Sequence, residues 1–215
     1  MIFITDELGN TEKNILELVE NVGVKDCKTI ETIDLFCGIS EKNDVHKEKD
    51  LYYAFTDIPQ YWSVRADGVN GAIYDNKTKK ANIYFKNPIE KRMVSRVEWI
   101  DRNNTVYRID YYNKYGYKYC SENVSGGNVT VRKFYDRNGD IKLIEQTGSK
   151  TYTTLGTGIS PRSYRGFADY LEAYLKSNEI YDENIWLISD EILNKFAGDY
   201  GNFKISYLQK NRLNS

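Results

Sequence analysis

Across Lys91–Cys120, apolar residues at Met93, Val97 and Trp99, and then at Tyr107, Ile109 and Tyr111, alternate with charged positions on either side of Asp101-Arg102-Asn103-Asn104. A period of two with a turn-forming tetrad between its halves predicts a β-hairpin with one buried and one polar face. The same period extends from about residue 61 to 155, punctuated at Asp67-Gly68, Asn70-Gly71, Asp75-Asn76, Gly126-Gly127 and Asn138-Gly139. It predicts strands at 61–66, 71–75, 81–86, 92–100, 105–113, 116–122, 128–135, 140–146 and 150–155. With no helix between them, such strands form an up-and-down meander. The phrase Asp-Arg-Asn, at Asp101 and again at Asp136, marks two corresponding turns.

The flanks follow a different pattern. Ile2 to Thr5 predicts a short strand, and Thr11 to Asn21 an amphipathic helix with Ile15, Leu16, Leu18 and Val19 on its apolar face and Gly23 as its stop. Two further apolar segments follow, Thr29 to Phe36 and Leu51 to Phe55. After Leu155, Gly156-Thr157-Gly158 and Pro161 break the sheet, and Tyr164 to Lys176 places Phe167, Leu171, Tyr174 and Leu175 on one helical stripe. A strand at Asn184–Ile188, a helix at Asp190–Phe196 and a strand at Phe203–Leu208 complete the chain. The pattern predicts an α+β protein: a discontinuous α/β domain of residues 1–57 and 158–215, whose two parts pack together, with an antiparallel β-sheet domain of residues 58–157 inserted.

Charge respects the same boundaries. Residues 61–157 hold seventeen Lys or Arg against ten Asp or Glu, whereas the first sixty hold six against thirteen. The net charge of −1 thus hides a basic β-layer joined to an acidic α/β layer. That balance suits either a solvated sheet face with protected edges or a platform for an acidic or elongated partner. No nucleic-acid recognition motif accompanies the basic residues, so nucleic acid is not an expected partner. No apolar run approaches the ~20 residues of a membrane span, and Met1-Ile2-Phe3-Ile4 is followed by Asp6 and Glu7, so a cytoplasmic chain is expected.

Candidate chemistry is sparse. Cys27, Cys37 and Cys120 are too few and too far apart for a disulfide framework or paired zinc ligands, and the single histidine, His46, sits in a polar stretch. Gly156-Thr157-Gly158, expected between a strand and a helix, lacks the lysine and further spacing of a phosphate loop. Glu98, Asp110 and Glu122, near Arg96, Arg108 and Lys118, predict cross-strand ion pairs rather than acid–base groups. Trp62, Trp99 and Trp186 are expected as core or interface anchors, and no cofactor or metal is expected.

One family accounts for the order of motifs. Ile58-Pro59-Gln60-Tyr61-Trp62, Gly71-Ala72-Ile73-Tyr74-Asp75, Lys80-Ala81-Asn82-Ile83-Tyr84, Pro88 with Lys91-Arg92, Val97-Glu98-Trp99 and Asp110-Tyr111-Tyr112-Asn113-Lys114-Tyr115-Gly116 together resemble the inserted β-sheet domain of the accessory Sec glycosyltransferase pair. The likeness is greatest to the stabilising, or B, subunit; related meanders occur in the catalytic A subunit and in some teichoic-acid glycosyltransferases.

The resemblance implies a partial Rossmann-like α/β domain carrying the meander, the first half of a GT-B arrangement, without the second domain that a donor-sugar site requires. It implies a noncatalytic adaptor that docks the catalytic subunit, which transfers N-acetylglucosamine from UDP-GlcNAc to a serine-rich adhesin, and that helps hold the polypeptide acceptor. Such a protein is expected in the cytoplasm, at the inner face of the cell membrane through its partner. A fragment of a GT-B glycosyltransferase lacking its donor domain, and a standalone glycan- or peptide-binding sheet, are the alternatives. The expected partner surface is one strand face of residues 91–120, with Arg92, Arg96, Arg108, Tyr112 and Lys118 exposed and Trp99 packed beneath.

Overall fold

A computed structural model describes residues 2–5, 28–31, 49–66, 68–113, 115–156, 159–177, 184–188, 198–200 and 203–207 of the protein. By compactness the chain divides into two units, residues 1–41, 149–153 and 162–215 in one and residues 42–148 and 154–161 in the other.

The dominant feature is a ten-stranded sheet. Its strands are β3 (Trp62–Ala66), β4 (Gly71–Asp75), β5 (Thr78–Phe85), β6 (Val94–Ile100), β7 (Val106–Tyr112), β8 (Lys118–Ser125), β9 (Asn128–Tyr135), β10 (Ile141–Gln146), β11 (Thr151–Gly156) and β12 (Ile159–Arg165), side by side in chain order. Neighbours from β3 to β10 are antiparallel, so the predicted meander is present. All nine predicted strands appear, together with a tenth. Ile159–Arg165 had been read as the approach to a helix, which begins only at Phe167. Pro161 made this segment look like a breaker, yet β12 is a terminal strand, where a missing N–H can face away from the ladder. No helix N-terminus therefore follows Gly156-Thr157-Gly158.

The smaller sheet has the order β14 (Gly198–Tyr200), β15 (Phe203–Tyr207), β13 (Asn184–Ile188), β1 (Ile2–Thr5) and β2 (Lys28–Glu31). β1 runs parallel to both β2 and β13, and β13 parallel to β15; only β14 is antiparallel. Strands from the first and last parts of the chain thus share one sheet, as expected. Helix α1 (Phe167–Ser177) buries Phe167, Tyr170, Leu171 and Leu175, with Tyr152 stacked on Tyr170 at 5.7 Å between ring centroids. The predicted helices at 11–21 and 190–196 lie outside the described residues, as do Cys27, Cys37 and His46.

Leu51–Phe55, expected as an apolar segment of the α/β layer, instead lies against the meander. Tyr52 bridges Met93, Leu51 O accepts the Val94 amide at 2.8 Å, and Tyr53–Phe55 forms a single 3-10 turn. Leu51, Tyr53, Ile58 and Trp62 pack on a core of Ile73, Ala81, Ile83, Val94, Val97 and Trp99. Alternation along β4 and β5 builds this core: Ile73, Ala81 and Ile83 are each fully buried while Tyr74, Asn82 and Tyr84 point to the other face.

The two Asp-Arg-Asn turns are built alike. Asp101 Oδ1 accepts the amides of Asn103 and Thr105 at 2.8 and 2.9 Å, and Asp136 Oδ1 those of Asn138 and Asp140 at 2.9 and 3.0 Å. A third copy lies between β7 and β8: Asn113 Oδ1 accepts from the amides of Tyr115 and Tyr117 at 3.0 and 3.4 Å. Its signal was an Asx residue three positions before a left-handed one, here Gly116, in the others Asn104 and Gly139.

Asp136 has an added partner, Lys142 Nζ at 3.0 Å from Oδ2. Burial opposes its ionisation, but the Lys142 ammonium and the two amides overcome that penalty and hold its pKa below the ordinary 3.8. A depressed carboxylate stabilises the fold above its unfolded value and loses that contribution as pH falls through the folded one. Asp136→Asn keeps the turn's acceptor, as Asn113 does, and loses the charge. We expect the variant to be less stable than the parent at pH 7 by about 1 kcal/mol and the gap to close below pH 3.8, as read from urea midpoints. A gap independent of pH would mean that the carboxylate's charge contributes nothing.

Candidate functional site

The predicted surface residues do not share one face. In the β6–β7 pair Trp99 lies opposite Arg108 and Val97 opposite Asp110, whereas Arg96 lies opposite Tyr111 and Glu98 opposite Ile109. Odd-numbered residues of β6 therefore share a face with even-numbered residues of β7. Val97 and Trp99 lie on one face, and Ile109 and Tyr111 on the other. The expectation of one buried and one polar face fails for this hairpin, because both faces carry buried residues. Toward β3 the core is on the Trp99 face; toward β10 it is on the other, where Cys120, Phe134 and Leu143 are fully buried.

Trp99 sits beneath the surface, as expected, at 6% exposure. Its indole Nε1 donates to Asp110 Oδ2 at 2.7 Å, Ser121 Oγ donates to Asp110 Oδ1 at 2.5 Å, and the Arg108 guanidinium both reaches Asp110 Oδ2 at 3.2 Å and covers the Trp99 ring at 4.6 Å. Arg108 is consequently half-buried. Tyr112 packs against the neighbouring core; burial, and then the Asp110 charge, push its phenol well above the ordinary range, so its hydroxyl stays protonated. Trp99, Arg108 and Tyr112 are thus brought together around one buried carboxylate. Arg92, left-handed at φ 53°, holds its guanidinium 5.7 Å from the Tyr53 ring, and Lys118 sits 4.7 Å from the Tyr135 ring. None of the five proposed contact residues projects freely, because each cation rests on an aromatic ring or a carboxylate.

Arg96 lies on the other face of the sheet, half-buried like Arg108. Its Nε reaches Glu98 Oε1 at 2.9 Å and its guanidinium covers Tyr84 at 4.1 Å. Burial, followed by the charge of Glu98 and a hydrogen bond to it, raises the Tyr84 pKa and keeps that phenol neutral. Register extends this face across four strands: Ser63 and Arg65 on β3, Ala72 and Tyr74 on β4, Asn82 and Tyr84 on β5, Arg96 and Glu98 on β6. Arg65 lies 4.8 Å over Tyr74 and repeats the Arg96–Tyr84 stack. Arg65, Tyr74 and Tyr84 were not among the candidates, although they alternate in sequence with Val64, Ile73 and Ile83.

Glu98 and Asp110 pair with the expected Arg96 and Arg108, but along a strand rather than across strands, and Glu122 pairs with Arg132 in place of Lys118. Glu122, buried, accepts from Arg132 Nε at 2.7 Å and from the Tyr111 hydroxyl at 2.9 Å, while Arg132 Nη1 donates to Glu145 at 2.6 Å. Among the described residues no cluster of His, Cys, Asp or Glu suits a metal ion, and no helix is long and apolar enough to cross a membrane. The arrangement sets stacked cations, neutral phenols and paired carboxylates on one sheet.

Comparison with known proteins finds relatives of the sheet. Residues 62–160 match the family described as the GtfB middle domain. The chain is similar to the UDP-N-acetylglucosamine–peptide N-acetylglucosaminyltransferase stabilizing protein GtfB of Streptococcus agalactiae, with 28% identity over 51% of this chain and 24% of the relative. Against the protein of the same name from Limosilactobacillus reuteri, identity is 32% over 45% of this chain and 22% of the relative. In fold it resembles a chain of the crystal structure of a GtfA/B complex bound to UDP and GlcNAc, with a TM-score of 0.73 and 16% identity over 97% of this chain and 49% of that one. The chain thus spans about a quarter of the length of these curated relatives.

Proposed function

We propose, on the premise that residues 62–160 carry a GtfB middle domain, that this chain acts as a noncatalytic stabilising partner of a peptide N-acetylglucosaminyltransferase. The meander docks the catalytic subunit and helps hold a serine-rich polypeptide acceptor, in the cytoplasm and at the inner face of the membrane through that partner. The flanking parts of the chain that lie outside the meander unit, residues 1–41 and 162–215, form a partial Rossmann-like domain, the first half of a GT-B arrangement. Parallel pairing of β2, β1, β13 and β15 supports this reading.

The observation that carries the proposal is the match of the meander to the GtfB middle domain, together with a strip of stacked arginines and tyrosines on that meander. Arg96, with Arg65, Tyr74 and Tyr84, forms one face of the partner surface; Trp99, Arg108, Tyr112, Arg92 and Lys118 shape it from the other face and its margins. Co-expression with the glycosyltransferase of the same organism, followed by light scattering at micromolar concentration, tests the reading. A stable complex is expected, and its absence would overturn the proposal.

A further inference from the structure

Among the described residues the outer edge of β3 is unpaired. β3 ends the ten-stranded sheet, and its inner side pairs with β4 in unbroken register from Trp62↔Asp75 to Ala66↔Gly71. No strand among the described residues pairs with its other side, so alternate peptide groups there lack ladder partners. Terminal strands are commonly blunted by proline, lysine or a bulge. The sequence Trp-Ser-Val-Arg-Ala has neither proline nor lysine, and its pairing with β4 has no bulge. Its one charge, Arg65, lies along the face over Tyr74 rather than across the edge.

Apolar side chains bracket this edge. Of the four large hydrophobic residues most exposed among those described, three flank β3: Tyr61 at 87% immediately before it, Val69 at 63% in the turn after it, and Phe55 at 76% in the 3-10 turn that leads toward it. The surrounding charge is positive. Lys77 and Lys79, both exposed, occupy the β4–β5 hairpin, whose Asp75 end lies opposite Trp62. Asp75 itself is engaged by Lys80 at 3.6 Å, and Lys80 lies 5.5 Å from the Trp62 ring. Arg65, Lys77 and Lys79 have no carboxylate partner among the described residues, and they outnumber Asp57 and Asp67, the acids before and after β3 in sequence.

We propose that β3 is a strand-addition edge that receives an extended acidic segment of the protein partner, which pairs its backbone along Trp62–Ala66, covers Tyr61 and Phe55, and sets its carboxylates against Arg65, Lys77 and Lys79. Backbone pairing supplies the affinity and the flanking charges supply the selectivity. This rests on the docking reading above and adds the place, the mode and the chemistry of the contact.

The experiment is amide hydrogen exchange on the complex with the co-expressed glycosyltransferase, beside binding measurements on two variants, Arg65→Glu/Lys77→Glu/Lys79→Glu and Tyr61→Ser. Protection should appear at amides within residues 63–66 on complex formation, together with a protected acidic segment of the partner. The charge reversal should weaken binding ~10-fold or more at low salt, less at high salt, and Tyr61→Ser should weaken it independently of salt. A wild-type complex that forms without protection at 63–66 and binds both variants equally well overturns strand addition and leaves the docking reading standing. Failure of the wild-type chain to bind removes the docking reading itself. Protection at 63–66 in the chain alone that rises with its concentration and is abolished by Tyr61→Ser would assign the edge to a second copy and overturn the proposed occupant.

Discussion

Arg132→Met is expected to cost the fold about 3–5 kcal/mol, the largest loss of any single substitution argued for this protein. Arg132 is 6% exposed and its two acceptors, Glu122 and Glu145, are 1% and 4% exposed, so the substitution strips the guanidinium from two buried carboxylates. Burial alone would lower the Arg132 pKa; the charges of Glu145 and Glu122 and their hydrogen bonds overcome it and raise the value beyond the ordinary range. The cation is therefore held through all accessible pH. Much of the loss is the penalty of leaving the carboxylates without it, so the triple variant Arg132→Met/Glu122→Gln/Glu145→Leu should recover most of the stability. Glutamine at 122 retains an acceptor for the Tyr111 hydroxyl. Urea midpoints and slopes for the single and triple variants decide this. A loss below about 1 kcal/mol in the single variant would show that the cluster holds little of the fold.

This cluster also shows what could be read from the chain. That Glu98, Asp110 and Glu122 serve as ion-pair partners was legible, because carboxylates alternating with arginines on strands meet cations across or along the sheet. Arg96 and Arg108 were legible as the cations near Glu98 and Asp110, though not that they pair along a strand; the partner of Glu122 was not legible. Glu122 and Lys118 are four residues apart, about 13 Å along a strand, too far to pair, and the cation that does reach Glu122 comes from β9, opposite in register. Register is what alternation leaves open. The turn between β6 and β7 sets odd residues against even ones, so two apolar lists that look continuous in sequence fall on opposite faces. The strands themselves were legible because turn chemistry delimits them; the tenth was hidden by a proline that a terminal strand tolerates. The surface strip was half legible. Arg96 was found in a conspicuous hairpin, while Arg65, Tyr74 and Tyr84 required knowing that three separate strands lie side by side.

A pair of glycine substitutions separates turn geometry from what presses on the turn. Gly116 and Gly139 occupy the same position of two like-built turns, with φ of 82° and 84°. Alanine at either must adopt a left-handed conformation, at a cost of about 1–2 kcal/mol. At Gly139 nothing lies within 4 Å of an added Cβ, so that cost should be the whole effect. At Gly116 the added carbon would lie 2.4 Å from the Lys49 carbonyl oxygen and 3.3 Å from the Leu51 amide nitrogen, both backbone atoms that no side-chain rotation can clear. Moving them disturbs the segment that hydrogen-bonds Val94 and covers the Ile73–Trp99 core, so Gly116→Ala should lose a further 1–3 kcal/mol or so. Urea unfolding of the two variants against the parent measures both losses. Equal losses would mean that Lys49–Leu51 does not close over the turn. A larger loss at Gly116 would place the stress at that contact, since Gly139, whose amide donates to the Asp136 carbonyl at 3.0 Å, shares the turn geometry without such a neighbour.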